Sequence, residues 1–251
     1  MGTRRGAQIQ ALNGLCFVGG LTNNYDLAQR ASRRALALAA ASPRLSDRAE
    51  TYYQAGVVSF RRDDYDEARS LLEQARTLFE SLDDQHGLAQ CWFRLAWTIL
   101  RMDGATDQAI TLLEQARDMF QGMSAQYEEH DCAITLANVW LWRGQLLKAI
   151  QLSEASLPFF RASAARDKTS EAQIVRAEAL RRSGQLEDAL IAVRETYQTH
   201  IELGALPLRN MIGSSKAMCY ATWASTMPPN RHCRRRSPPR IGSTKRARCL
   251  P

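Results

Sequence analysis

The stretch "YYQAGVVSFRRDDYDEARSLLEQA" runs from Tyr52 to Ala75 and decides the fold. Tyr53, Gly56, Val57 and Phe60 fall at i, i+3, i+4 and i+7, the spacing of one face of a helix. The polar break "RRDD" interrupts that pattern. It resumes with Ala68, Leu71, Leu72 and Ala75, again at i, i+3, i+4 and i+7. Two amphipathic helices separated by a break this short read as a hairpin. The letters LLEQAR, first at Leu71–Arg76, return 41 residues later at Leu112–Arg117.

Sliding the hairpin along the chain tests whether that echo is a repeat. Ala68 in "YDEA" finds counterparts at Ala28, Ala109, Ala149 and Ala189, with spacings of 40, 41, 40 and 40. A constant period of this size signals a solenoid. Each copy has an apolar-periodic first helix, a break rich in Gly, Asp or Asn, and a second helix. Gly144 and Gly184 suit a left-handed turn, and Asn23 and Asp63 substitute there. Polar segments between copies, such as "SLDDQHG" and "MSAQYEE", restart a helix. Small residues mark the close approach within each hairpin. They are Cys16, Gly56, Ala96, Ala137 and Ala177 in the first helices, and the anchor alanines in the second. A further row follows at Ala35, Ala75, Ala116, Ser156 and Thr196. Tyr25, Tyr65, Leu72, Leu113, Trp92 and Trp140 are expected to fill the space between. One hairpin cannot bury its apolar face alone, so the hairpins stack.

This grammar resembles the tetratricopeptide repeat: an aromatic, a small residue, a Gly-Asp-Tyr-like turn, then an alanine. The resemblance covers roughly residues 8–203. It implies an all-α, right-handed α-solenoid of about five stacked helix-turn-helix repeats. The units are about 8–43, 44–84, 85–125, 126–165 and 166–205. The period exceeds the family's usual length of about 34 residues, which implies longer helices. In that respect the chain is similar to the sensor or assembly regions of LuxR-type and maltose-activator-type regulators.

The chain's +7 net charge is not spread evenly. Residues 226–251 hold eight Lys and Arg and no acid; removing those eight from 33 leaves 25 basic against 26 acidic residues, a net of −1. The repeat region is therefore neutral. A sixth unit begins near "LRNMIGSSKAMCYA", with Ala217 at the small position, so 206–224 reads as its first helix. The text then turns to Pro and Arg. Pro-Pro pairs forbid a helix, and 225–251 is expected to be a disordered basic C-terminal tail. Such a tail can bind nucleic acid through phosphates. Loss of reading frame inside the sixth repeat produces the same abrupt change, and then the chain is a fragment of a longer array.

No stretch is apolar enough to span a membrane, and no export signal is legible, so the cytoplasm is the expected location. The six cysteines make no C-x-x-C pair and read as buried hydrophobes or free thiols. No phosphate-cradling glycine loop and no H-E-x-x-H occurs, so no catalytic residue, cofactor or metal is assigned. "EEHDC", Glu128 to Cys132, gathers ligand types, yet its acids also suit a helix start.

Function is thus sought on the concave face, which the resemblance lines with first helices. The matching positions are Tyr53, Val57, Phe60 and Arg61 in unit 2, and Phe93, Trp97, Leu100 and Arg101 in unit 3. Unit 4 contributes Ile134, Asn138, Leu141 and Trp142; unit 5 contributes Ile174, Glu178, Arg181 and Arg182. The candidate binding residues are Tyr53, Phe60, Arg61, Phe93, Trp97, Arg101, Asn138, Trp142, Glu178 and Arg182. Aromatics edged by arginine have the composition of binding hot spots. Phe60 and Leu100 are also placed to pack between units. The family's chaperone-tail clamp needs a lysine where this chain has Tyr53, Phe93, Ile134 and Ile174. The expected partner is a protein or peptide, with self-association a further option; nucleic acid enters only through the tail, and no membrane is involved. The alternative is the sensor or assembly region of a larger regulator. Sequencing the gene past Tyr220 in all three frames separates the two readings of the tail. Continuation of the sixth repeat in a shifted frame eliminates a tail with a function of its own.

Overall fold

The computed structural model describes residues 2–104 and 106–202; the expected sixth repeat (206–224) and tail (225–251) lie outside the described residues. Ten helices fill the described residues as five hairpins, with no strand among them. They are α1 (Gly2–Leu21) and α2 (Tyr25–Ala39), α3 (Leu45–Arg61) and α4 (Tyr65–Ser81), α5 (Gln85–Met102) and α6 (Asp107–Gly122). The last two hairpins are α7 (Gln126–Trp142) with α8 (Leu146–Ala162), and α9 (Arg166–Arg182) with α10 (Leu186–Glu202). Each helix packs on the next, giving an α-solenoid. Its apolar residues form a file of small clusters, such as Leu72, Phe79, Leu88 and Leu95, then Ile99, Leu113, Leu136 and Val139.

One backbone device ends most of the helices. A left-handed residue follows the last turn, and the next amide donates to a carbonyl five residues back, which satisfies a carbonyl the helix leaves unpaired. Within hairpins the left-handed residues are Asn23, Asp63, Gly144 and Gly184, as expected, together with Gly104 in unit 3. The closing bonds are Asn24 to Gly19, Asp64 to Ser59, Gln145 to Trp140 and Gln185 to Leu180, at 2.8–3.0 Å. Between hairpins the same bond runs from Asp84 to Phe79, Ala125 to Phe120 and Ala165 to Phe160. There the left-handed residues are Asp83, Ser124 and Ala164, none of them glycine. Unit 3 departs from this scheme: four residues, 103–106, join its helices where three suffice in the other hairpins. This is the extra residue in the 41-residue spacing.

The small residues sit at the helix crossings. Gly56 is tight: a Cβ there would stand 2.7 Å from Leu72 Cγ and 3.3 Å from the Ala68 carbonyl. All five anchor alanines are buried, as is the row Ala35, Ala75, Ala116, Ser156 and Thr196. The bulky set divides. Leu72 and Leu113 are fully buried, and Trp92 and Trp140 flank the core. Tyr25 and Tyr65 are not core spacers, because their hydroxyls donate to Asn23 and Asp63 and hold the rings at the turns.

First helices of neighbouring units approach each other at α1/α3, α3/α5 and α7/α9. No two second helices approach as closely among the described residues. The first helices therefore converge on the inner side of the curve.

Two substitutions test this reading in urea or thermal unfolding. Ala164→Gly removes a Cβ from a left-handed residue, and a net gain of about 1 kcal/mol is expected. Gly56→Ala forces Leu72 aside and is expected to cost about 1–3 kcal/mol.

Candidate binding groove

An open groove of ≈ 380 Å³ lies along the inner side, from the turn of unit 1 to the start of α9. Its aromatic lining is Tyr25, Phe60, Tyr65, Phe93 and Trp97; its charged lining is Arg61, Asp63, Arg94, Arg101, Asp131 and Lys168. Five of the ten residues expected from sequence thus converge here: Phe60, Arg61, Phe93, Trp97 and Arg101.

The helix register explains that convergence. Phe93, Trp97 and Arg101 recur every four residues along α5, and side chains so spaced share one face. Phe60 packs its ring 5.7 Å from Tyr65. Arg101 lies over Tyr65, its Cζ 6.0 Å from the ring centroid, and its Nε donates to the tyrosine hydroxyl at 3.1 Å. Tyr65 in turn donates to Asp63. The left-handed turn residue therefore fixes a tyrosine, and the tyrosine fixes an arginine of the next unit. A glycine at position 63 would satisfy the turn and lose both contacts.

The other five expected residues have different surroundings. Tyr53 is buried with Leu72, Phe79 and Leu95 in the core between units 2 and 3. Burial pushes its hydroxyl pKa up, against the pull of the adjacent Arg94 guanidinium. Asn138 is buried, and its amide donates to the Ile134 carbonyl and to Glu171 Oε1. Trp142 is 53% exposed but outside the groove lining. Glu178 accepts two bonds from Arg181, both 2.8 Å. Arg182 donates to the Leu141 carbonyl at 2.7 Å. Leu100 is buried between units.

Arg94, Asp131 and Lys168 were not expected in the groove. Arg94 follows Phe93 directly and lies 5.6 Å from that ring's centroid. Lys168 Nζ donates to Asp131 at 2.5 Å and to Glu171 at 3.3 Å, joining α7 to α9. Burial alone would pull the lysine pKa down, but the two carboxylates outweigh it and raise the pKa. Sequence periodicity holds no signal for such a pair, because its members lie 37 residues apart, not one full period.

The "EEHDC" side chains go to separate partners. Asp131 meets Lys168, and Cys132 is buried in the core. His130 stacks on Phe159 at 4.5 Å, with Nδ1 3.2 Å from the Ser156 hydroxyl. Among the described residues no three His, Cys, Asp or Glu side chains gather as metal ligands. Cys16, Cys91 and Cys132 are buried free thiols, and burial pushes that of Cys16 to about 11. No described helix is long and apolar enough to cross a membrane.

The family model "Tetratricopeptide repeat" matches residues 47–122. Over those residues the helix pairs of units 2 and 3 match the tetratricopeptide repeat. Solved structures superpose on the chain. BtubC (BKLC) from P. vanneervenii does so with a TM-score of 0.70 at 14% identity, over 85% of this chain and 87% of that one. A Rap protein complexed with competence and sporulation factor gives 0.68 at 13%, over 78% and 54%. A signal transduction ATPase with numerous domains and a tetratricopeptide repeat sensor, from Pyrococcus horikoshii, gives 0.67 at 14%, over 78% and 30%. At these identities the likeness is one of fold. No curated protein matches the sequence significantly.

The stacked His130 yields a pH prediction. Burial lowers its pKa below the ordinary value of 6.5, with Glu129 opposing. The neutral ring's contribution is complete above that value and is lost as pH falls from it through the lower pKa of the folded state. Between about pH 7.5 and about pH 5.5 the unaltered array should lose more thermal stability than His130→Gln.

Proposed function

We propose that the array is a non-catalytic scaffold that binds a partner protein or peptide along its inner groove. The observation that carries this reading is the meeting of Phe60, Phe93 and Trp97 with Arg94 and Arg101 in one open groove. Stacked first helices present one continuous surface, and tryptophan, tyrosine and arginine dominate binding energies at such surfaces. Trp97 is the anchor: it is half-buried on the α5 face, so its ring is held before a ligand arrives. The Rap structure with competence and sporulation factor supports the reading by analogy of fold.

A second reading is the sensor or assembly region of a larger regulator. The likeness to the ATPase with a tetratricopeptide repeat sensor favours it, since this chain spans 30% of that protein. The groove's occupant would then include other domains of the same polypeptide. In-frame coding sequence for an ATPase or DNA-binding module beside this segment is its expected mark.

Selection of a displayed library of random linear peptides on the purified chain tests the groove. Peptides that survive should lose affinity by about tenfold or more with Trp97→Ala, and keep it with Trp142→Ala. Surviving peptides that bind Trp97→Ala unchanged would remove the groove as the binding face. Helical circular dichroism of both variants verifies folding.

A further inference from the structure

A polar contact recurs along the inner edge of the array. Arg61, the last residue of α3, donates from Nη1 to the carbonyl of Gly20 in α1. Arg182, the last residue of α9, donates from Nη1 to the carbonyl of Leu141 in α7. The two arginines hold the same register in their units, and so do the two carbonyls. Each bond ties the C-terminal ends of consecutive first helices, where carbonyls lack intrahelical donors. Arg101 holds this register in unit 3 and also reaches back one unit, to Tyr65 and Asp63. Trp142 holds it in unit 4, and its side chain makes no hydrogen bond among the described residues.

Among the described residues, α5 and α7 at the junction of units 3 and 4 lack the inner ties seen at other junctions. Asn13 donates to Thr51 between units 1 and 2, and Lys168, Asp131, Asn138 and Glu171 link units 4 and 5. Among the described residues no hydrogen bond or ion pair joins α5 to α7, and their backbones barely meet. The four-residue turn follows α5 at this same place. On the outer side the junction is closed, because α6 packs on α7 over Ile110, Leu113, Leu136 and Val139. A polar link there, Arg143 to Asp107, sits on a largely exposed carboxylate. The groove crosses the untied side: Phe93, Arg94, Trp97 and Arg101 line it from α5, Asp131 from α7 and Lys168 from α9.

We propose that units 1–3 and units 4–5 are two stiff blocks that hinge at the α6/α7 seam, opening and closing the groove between α5 and α7. What the hinge closes on rests on the groove reading; the hinge itself does not, and its test needs no ligand. The competing outcome is that Ile99 and Leu100 of α5, buried in one cluster with Leu136 and Val139 of α7 and flanked by Phe93 and Trp97, hold the junction rigid.

Spin labels on p-acetylphenylalanine placed in the full chain decide between them by pulsed dipolar distances. The pairs are Asp26 with Gln108 and Gln108 with Asp188, all exposed, each spanning two units. In the unaltered array the Gln108/Asp188 distribution should be broader by about 2 Å or more. Trp142→Arg supplies the missing donor to the Leu100 carbonyl and should narrow it to match the other pair. Arg61→Ala should broaden Asp26/Gln108. Equal widths in the unaltered array overturn the hinge. So does a broad Gln108/Asp188 distribution that Trp142→Arg leaves unchanged while Arg61→Ala leaves the other pair narrow. Failure of every peptide to depend on Trp97 would remove the groove reading and leave these distances as they are.

Discussion

Two helix backbones can close into a hairpin only where nothing larger than a small side chain separates them. Everything else in this array depends on that approach. Gly56 against Leu72 and Ala68 shows it, and an alanine or cysteine holds the same place in the other units. Interiors are close-packed, so one methyl at such a crossing is felt throughout the hairpin. Because the crossing recurs every 40 or 41 residues, each unit offers the next the same surface, and stacking follows.

That constraint is also why so much of the fold was legible. Small residues at constant spacing, with Asn23, Asp63, Gly144 and Gly184 at the turns, leave few alternatives to a helical hairpin. The turns between units were less legible. Asp83, Ser124 and Ala164 adopt left-handed backbone without being glycine, and stacking of the flanking helices overrides local preference there. The groove was half legible. Phe93, Trp97 and Arg101 follow from helical periodicity alone. Tyr53 and Asn138 occupy equivalent register positions yet are buried, because the neighbouring unit covers them. Register places a residue on a face; it does not reveal how far the next unit overlaps that face.

The polar contacts divide by the same logic. Bonds between side chains and helix-end carbonyls sit at fixed register, so Arg61 and Arg182 repeat each other. The Lys168 cluster has no counterpart elsewhere in the array. A partly buried ammonium held by two carboxylates adds little net stability, but it penalises any shift of α9 along α7. Its effect is to fix how unit 5 is seated. The chain of Asp63, Tyr65 and Arg101 does similar work at the groove's edge, in a more exposed setting where each bond counts for less.

Every helix here packs on its immediate successor, and first helices reach no farther than the next unit. No contact spans the whole array, so the mean sequence separation of touching residues stays near one repeat however many repeats are stacked. Folding rate tracks that separation more than chain length in small domains. Such an array can nucleate at any well-packed pair and zip outward, and it frays from its ends inward. Losing a terminal unit therefore shortens the protein without abolishing its fold, which lets repeat arrays vary in length while their central surfaces persist.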